Sequence, residues 1–350
     1  MVETIKAFVK LGDILRTYQS EQTEEYTTYY KQLDLSIQKA QAHNPWFTNE
    51  NVLFAIQSIG KSLVIDNIEL WLKPYKEGIE KNTKPKKVAV IMAGNIPLVG
   101  FHDFLCVILS GNNFLGKLSS DDEFLLPGVA DVLISIEPKL KDRIEFADGF
   151  IKKFDTVIAT GSNNTSRYFD YYFGKYPNII RKNRNGVAVL TGEESSDELN
   201  RLGGDIFQYF GMGCRSISKF FVPENYVFDK FFESIESYSS IGNHNKYKNN
   251  YDYYRSIYLI NKVKHFDNGF LMITEDTPFA SPPSVIYFEY YKDLNNLNNR
   301  LSNEVDNIQC VVSNSKEVSN SIPIGKAQQP DSWDYADGVD TMEFLVNLFE

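Results

Sequence analysis

The chain opens on helical spacing. Ile5, Phe8, Val9, Leu11, Ile14 and Leu15 form one apolar stripe at three- and four-residue intervals, and Thr48-Asn49-Glu50 ahead of Val52, Leu53 and Ile56 reads as a capped second start. Residues 1–80 are therefore expected to form a helical lead-in. Residues 81–87 are basic and contain a proline, as a solvated connector does. The period then changes. Residues 88–92 (VAVIM) are a continuous apolar run of the kind a strand buried on both faces requires, and they end in Ala93-Gly94-Asn95-Ile96-Pro97. A helix-length apolar segment follows over 98–109. Residues 112–118 then give a turn, a second strand and Lys117 near its end. With a helix expected at 123–136 and a strand at 155–160 running into Gly161-Ser162, the order strand, glycine turn, helix recurs, which predicts a doubly wound α/β layer.

The second half starts with another buried-type strand at 187–190, closed by Thr191-Gly192, and a helix over 193–209. Residues 209–223 (YFGMGCRSISKFFVP) set Cys214 at the exit of a turn made possible by Gly211 and Gly213, with a strand at 218–222 leading away. A helix is expected at 228–238 and strands at 256–260, 284–290 and 308–312. The polar, tyrosine-rich stretch 243–254 reads as a long surface loop. The tail begins acidic and ends MEFLVNLF, apolar enough to pack on this or another subunit. The expected organisation is a lead-in (1–80), a dinucleotide-binding domain (81–190), a catalytic domain carrying the cysteine (191–330) and a C-terminal tail (331–350).

Composition narrows the chemistry. At 350 residues with 43 % hydrophobic content the chain can build two cores. A formal charge of −10 repels a phosphate backbone, and the aromatic residues are not interleaved with basic clusters, so nucleic acid is not an expected partner. No run of 18 apolar residues occurs, so no membrane span is expected. Charges interrupt the apolar pattern of the first 15 residues where a signal peptide would have none, so a cytoplasmic protein is expected. Three scattered cysteines and four histidines, without a CxxC pair, suggest neither a disulfide framework nor a metal site. Cys106 lies in an apolar helix and Cys310 in an apolar strand, whereas Cys214 has turn glycines beside it. His102, on the apolar helix after the Asn95 loop, reads as a packed core residue, and His244, in its polar stretch, as exposed. Asn95, Lys117 and Gly161-Ser162 all sit at strand ends, where doubly wound sheets bind ligands, and a helix opening after Ser162 would turn backbone N–H groups toward a phosphate.

Ala93-Gly94-Asn95-Ile96-Pro97-Leu98, Leu115-Gly116-Lys117-Leu118-Ser119-Ser120, Thr160-Gly161-Ser162-Asn163 and Gly213-Cys214 with the later Phe221-Val222-Pro223 occur in the order of aldehyde dehydrogenase superfamily motifs. Residues 85–350 more closely resemble the acyl-CoA reductase family that includes the fatty-acid reductase of bacterial bioluminescence. The resemblance implies an aldehyde-dehydrogenase-like α/β fold and a homo-oligomer. It also implies that Cys214 is the nucleophile, Asn95 an oxyanion-stabilising amide, Lys117 a contact to the adenosine ribose, and Gly161-Ser162 the turn beside the pyrophosphate and nicotinamide.

Two departures from the superfamily pattern are informative. Hydrolytic relatives hold a glutamate base upstream of the cysteine, but residues 171–192 contain no Asp or Glu and read Arg181-Lys182-Asn183-Arg184 instead. A thioester on Cys214 should therefore resist water, which favours NAD(P)H-dependent reduction of an acyl thioester, from CoA or an acyl carrier, to the aldehyde. Ser120 stands where NAD-using relatives often carry an acid, so NADPH is favoured with NADH as the alternative, although Asp121 and Asp122 lie next to it. Rival readings are an oxidising or CoA-acylating aldehyde dehydrogenase using the same site, and a cysteine acyltransferase without nicotinamide. What activates Cys214 stays open, since Arg215 reads equally as a charge that lowers the thiol pKa or as a surface residue.

Overall fold

The stripe of the first helix meets its partner in the structure, a computed structural model describing residues 1–20 and 23–349. Helix α1 (Val2–Thr17) buries Ala7, Phe8, Leu11, Ile14 and Leu15 and packs chiefly on α3 (Asn49–Ser62). The two cross so closely that a Cβ on Gly60 would stand 2.4 Å from the backbone nitrogen of Arg16. The expected cap is present: Thr48 Oγ1 accepts the Asn51 N–H at 3.3 Å. Helices α2 (Thr27–His43), α4 (Ile65–Leu72) and α5 (Lys76–Lys81) complete this layer.

The layer packs on the crossover helices of a sheet built from β1 (Lys87–Ile91), β2 (Asn113–Lys117), β3 (Ile144–Phe146), β4 (Thr156–Thr160) and β5 (Asn178–Arg181). The order is β3-β2-β1-β4-β5 and every pairing is parallel. Such pairing needs crossovers, supplied by α6 (Phe101–Leu109), α7 (Leu125–Ile136) and α8 (Asn163–Phe173). Burial on both faces explains the unbroken apolar runs: Val88, Ala89 and Val90 have no exposed surface.

A second unit spans Asn183–Pro330, whereas Met1–Lys182 and Asp331–Glu350 form the first. Its strands are β6 (Asn185–Val189), β7 (Ile217–Pro223), β8 (His265–Asp267), β9 (Met272–Glu275), β10 (Val285–Tyr291), β11 (Ile308–Val312) and β12 (Ser321–Ile322), in the order β12-β11-β6-β7-β10-β9-β8. Only the β8–β9 pair among the described residues is antiparallel. Its helices are α9 (Ser196–Phe207), α10 (Asp229–Ser234), α11 (Asn245–Ile260) and α12 (Leu294–Asn303).

Four expectations are corrected here. The strand at 187–190, expected in the cofactor-binding layer, is β6 and pairs with β7 and β11 of the second sheet. The stretch 243–254, expected as a loop, and 256–260, expected as a strand, form one helix, α11. Its buried face is made of Tyr247, Tyr251 and Tyr258. Tyrosine packs its ring while its hydroxyl finds a partner, as Tyr247 does on the Phe270 carbonyl (3.0 Å), so a buried helical face was written in residues that look polar. His244, expected to be simply exposed, is the N-cap of α11 and lies 4.2 Å from the Phe210 ring, centroid to centroid.

The tail returns to the first unit. Within it, α13 (Thr341–Val346) buries Met342 and Leu345 completely and packs on α6. Trp71 donates to Tyr335 (2.7 Å), Tyr335 to Tyr75 (3.1 Å) and Tyr75 to Asp340 (2.6 Å), while His102 donates to the Ser332 carbonyl (2.8 Å) and stacks on Trp71.

Candidate active site

In the first sheet the loops after β1, β2 and β4 leave from carboxyl ends. With the order β3-β2-β1-β4-β5 the connections after β1 and β4 go to opposite sides, and the ligand crevice of such folds opens between them. The β1 loop carries Asn95, the β4 loop carries Gly161-Ser162, and Lys117 ends β2 opposite Ile91. These three sequence candidates thus share one edge.

The β1 loop is tightly held. A Cβ on Gly94 would stand 2.6 Å from Ser119 Oγ, so this loop lies directly on the loop after β2. Leu98 has φ +58°, uncommon for a leucine, and its N–H donates to Asp122 Oδ2 at 3.0 Å. Asp122 Oδ1 also accepts the Leu125 N–H at the start of α7 (3.4 Å). Burial pushes the Asp122 carboxyl up to about 6, against the pull of these two N–H groups. Ser120 stays exposed, its carbonyl accepting from the His43 ring (2.7 Å). Of the two acids beside it, Asp122 is turned into the fold and Asp121 is exposed.

The edge fits a dinucleotide. Ser162 caps α8, its Oγ accepting the Thr165 N–H at 3.2 Å, and the N–H groups ahead of Thr165 have no carbonyl partner within the helix. Gly161 keeps the approach narrow: a Cβ there would stand 2.9 Å from Phe169 and 3.1 Å from Thr165. The segment lacking carboxylates begins inside this unit. Arg181 ends β5 buried, ion-paired to Asp103 of α6 at 2.5 Å and donating to Thr341 of the tail at 2.8 Å. It is a structural tie between sheet, helix and tail.

Cys214 belongs to the second unit, where it precedes β7. Helix α9 stops at Phe207, two residues short of expectation, because Tyr209 and Phe210 enter the left-handed region (φ 55° and 58°), followed by Gly211 at φ 75°. Bulky residues at positive φ cost roughly 1–2 kcal/mol each and persist where packing over-determines them. Phe210 is held against His244 and Tyr247. The Ser216 N–H then donates to the Gly213 carbonyl (3.0 Å), closing a turn with Cys214 and Arg215 at its tip. Cys214 is exposed, whereas Cys106 and Cys310 are buried. Burial, reinforced by the Asp103 charge, pushes the Cys106 thiol well up. Arg215 is half-buried, its Nε donating to the Ala327 carbonyl at 2.6 Å, so it is tied down within the unit and is not a loose surface charge.

Glu194, a buried carboxylate just past the acid-free stretch, does not reach the thiol. It folds back on Thr191 N (2.7 Å) and Gly192 N (3.0 Å) beyond the carboxyl end of β6. The parallel register Gly186 to Ile217 and Val189 to Phe221 puts Cys214 past the opposite end, roughly 15 Å or more away at ~3.3 Å per residue. A narrow apolar slot lined by Phe207, Phe210, Gly211, Ile217, Tyr247 and Pro282 opens beside the turn, with room for little more than one water (about 20 Å³).

Sequence reasoning missed two residues. Asp122 was weighed only as a possible ribose contact, and Asp205, on the buried face of α9 between Leu202 and Ile206, was passed over. A carboxylate inside an apolar helical face was the available signal.

The fold has solved counterparts. Aldehyde dehydrogenase 21 from Physcomitrella patens, in complex with its reaction product succinate, matches with a TM-score of 0.61 at 11 % identity, covering 99 % of this chain and 87 % of its own. HpcC from Thermus thermophilus matches at 0.62 and 12 % identity (91 % and 70 %), and an NADP dependent enzyme of E. coli at 0.60 and 14 % (93 % and 79 %). These define the class: the chain has the aldehyde dehydrogenase fold. No curated protein matches the sequence. The model of the acyl-CoA reductase (LuxC) family matches residues 7–235, more than half of the chain, and the chain belongs to that family. It is an oxidoreductase acting on aldehyde or acyl groups, and family and fold imply a nicotinamide cofactor. Among the described residues no helix is long and apolar enough to cross a membrane.

Proposed function

We propose that the protein reduces an acyl-CoA, or an acyl group on a carrier thiol, to the aldehyde through a thioester on Cys214. In this reading the first unit's sheet edge holds the nucleotide through Lys117, Ser120, Gly161 and Ser162, and the second unit carries the nucleophile. The Cys214 thiolate attacks the acyl carbon, a C–S bond forms, and the CoA thiolate leaves and takes up a proton. The Cys214 N–H and the Asn95 amide donate to the developing oxyanion. A bound reduced nicotinamide would supply hydride to the thioester carbon. Breaking of the C–S bond in the resulting thiohemiacetal releases aldehyde and restores the thiolate.

The observation that carries the reading is the exposure of Cys214 on a turn reached through three left-handed residues, while Cys106 and Cys310 are buried. The acid-free stretch 171–192 supports a thioester that survives water. NADPH is the preferred cofactor because Ser120 brings no negative charge to repel a 2′-phosphate, and the buried orientation of Asp122 supports this. The reading includes a cytoplasmic homo-oligomer. The apolar tail finds its cover within its own unit, so support for assembly comes instead from Tyr168, Tyr171 and Tyr172, exposed on α8. Sedimentation as a monomer at micromolar concentration would remove that element.

The test is intact-protein mass spectrometry after mixing with hexanoyl-CoA without reduced nicotinamide. One acyl group per chain, on Cys214, is expected, decaying slowly until NADPH is added. Acylation that persists in Cys214→Ala, or an adduct hydrolysed as fast without NADPH as it is reduced with it, would defeat the mechanism.

A further inference from the structure

The turn carrying Cys214 is short, and part of what holds it comes from more than a hundred residues later. Gln328 Nε2 donates to Ser216 Oγ (3.3 Å), and that same oxygen accepts the Gly213 N–H (3.2 Å), so one hydroxyl links the two ends of the turn to the segment 325–328. On the other shoulder the Ala327 carbonyl takes Arg215 Nε at 2.6 Å. Cys214 lies between these grips.

The segment 325–328 has an anchor of its own. Asp205, 1 % exposed on α9, accepts the Gly325 N–H at 2.6 Å through one oxygen and the Ala327 N–H at 2.9 Å through the other. Its backbone carbonyl takes a second bond from Gln328 Nε2 (3.3 Å). The arrangement leaves little slack: Gly325 sits at φ +87°, and a Cβ there would stand 2.9 Å from the Arg201 side chain. Burying a carboxylate for backbone N–H groups is an expensive way to hold a loop, and an apolar helix face would have packed at no such cost.

We infer that Asp205 is a positioning residue for the Cys214 thiol, acting through Gly325, Ala327 and Gln328. Both oxygens are used as acceptors, so Asp205 needs two lone-pair faces at fixed spacing. An asparagine offers one and turns an N–H₂ against the other N–H. The turn then loses the Ala327 and Gln328 grips, and Cys214 moves relative to the acyl carbon. Displacements of about 1 Å typically cost about 100-fold in such reactions.

This inference rests on the nucleophilic role proposed for Cys214, and the experiment separates the two. Wild type, Asp205→Asn, Gln328→Ala, Ser216→Ala and the Gln328→Ala/Ser216→Ala double variant are compared as full chains. Single-turnover acylation by hexanoyl-CoA is followed by mass spectrometry, beside the KM for NADPH in steady state. Asp205→Asn is expected to lower the single-turnover rate constant for acylation of Cys214 by about 10- to 100-fold with full amplitude and no rise in the NADPH KM, whereas loss of folded protein lowers the amplitude and leaves the rate constant alone. If Asp205→Asn fails to fold, the other variants decide. Gln328→Ala and Ser216→Ala should each slow acylation, and the double variant should be slowed by less than the product of the two single effects, because they share the Gln328–Ser216 link. Wild-type acylation rates in folded Asp205→Asn, or in Gln328→Ala and Ser216→Ala, overturn the inference. A wild-type protein that shows no adduct on Cys214 removes the nucleophile itself, and the inference with it.

Discussion

The two units use the same tool on loops of different kinds. In each, one buried carboxylate accepts two backbone N–H groups: Asp122 from Leu98 and Leu125, Asp205 from Gly325 and Ala327. Asp122 acts locally, on loops that leave carboxyl ends of a parallel sheet, where crossover geometry already gathers them. Asp205 serves a turn at the amino end of β7, where the topology gathers nothing and three successive left-handed residues must be held. A cofactor edge comes with the fold, whereas a thiol on the other kind of edge has to be built.

The comparison can be broken most forcefully at Asn95. If the first unit supplies chemistry as well as binding, Asn95→Ala should lower the acylation rate by about 100–1000-fold with NADPH affinity retained, measured by single-turnover acylation and fluorescence titration. An unchanged rate would make the β1 loop a cofactor loop alone.

The next effect tests the second unit's core. Lys219 of β7 is fully buried, paired with Glu289 and donating to the Asp276, Thr277 and Pro278 carbonyls, and Arg300 holds the same Glu289. Lys219→Met should cost about 3–5 kcal/mol in urea denaturation followed through the second unit's aromatic signals, because it strands those acceptors. A loss under about 1 kcal/mol would show that the cluster rearranges without the lysine.

A smaller effect is pH-dependent. Folding favours the protonated form of Asp122, since its carboxyl is pushed up to about 6. That contribution is full below about pH 4 and is lost as pH rises through about 6, an amount of about 3 kcal/mol. Asp205, also pushed up to about 6 by burial, behaves the same way in the second unit. Asp122→Asn should flatten the stability decline between about pH 4 and 7 without removing it, because Asp205 remains. A slope as steep as wild type would mean that Asp122 does not titrate there. The smallest effect is expected on the rim, where Ser120→Glu should shift the NADPH to NADH efficiency ratio toward NADH by about tenfold. No change would mean that Ser120 does not read the ribose.

The same contrast explains what the sequence disclosed. The runs at 88–92 and 155–160 announced their strands because a doubly buried strand has no polar face to disguise it, and 308–312 did so because its residues are apolar at all positions but Gln309. Asn95, Lys117, Gly161 and Ser162 fell on one edge because they follow strands of one parallel sheet. Helix α11 stayed hidden because its buried positions are tyrosines. The grip on Cys214 stayed hidden too, since a bond from Gln328 to Ser216 spans 112 residues and leaves no local pattern.

The tail has a consequence for synthesis. Met342 and Leu345 close the core beside α6, and Thr341 completes the surroundings of Arg181, although all other parts of the first unit precede residue 183. On the ribosome the helical layer and first sheet must wait, with that face of α6 uncovered, while Asn183–Pro330 is translated. The later-made unit has all its strands before the earlier one can finish. Chaperone capture of nascent chains should therefore be strongest at lengths between Lys182 and Thr341, and should fall once α13 has cleared the exit tunnel.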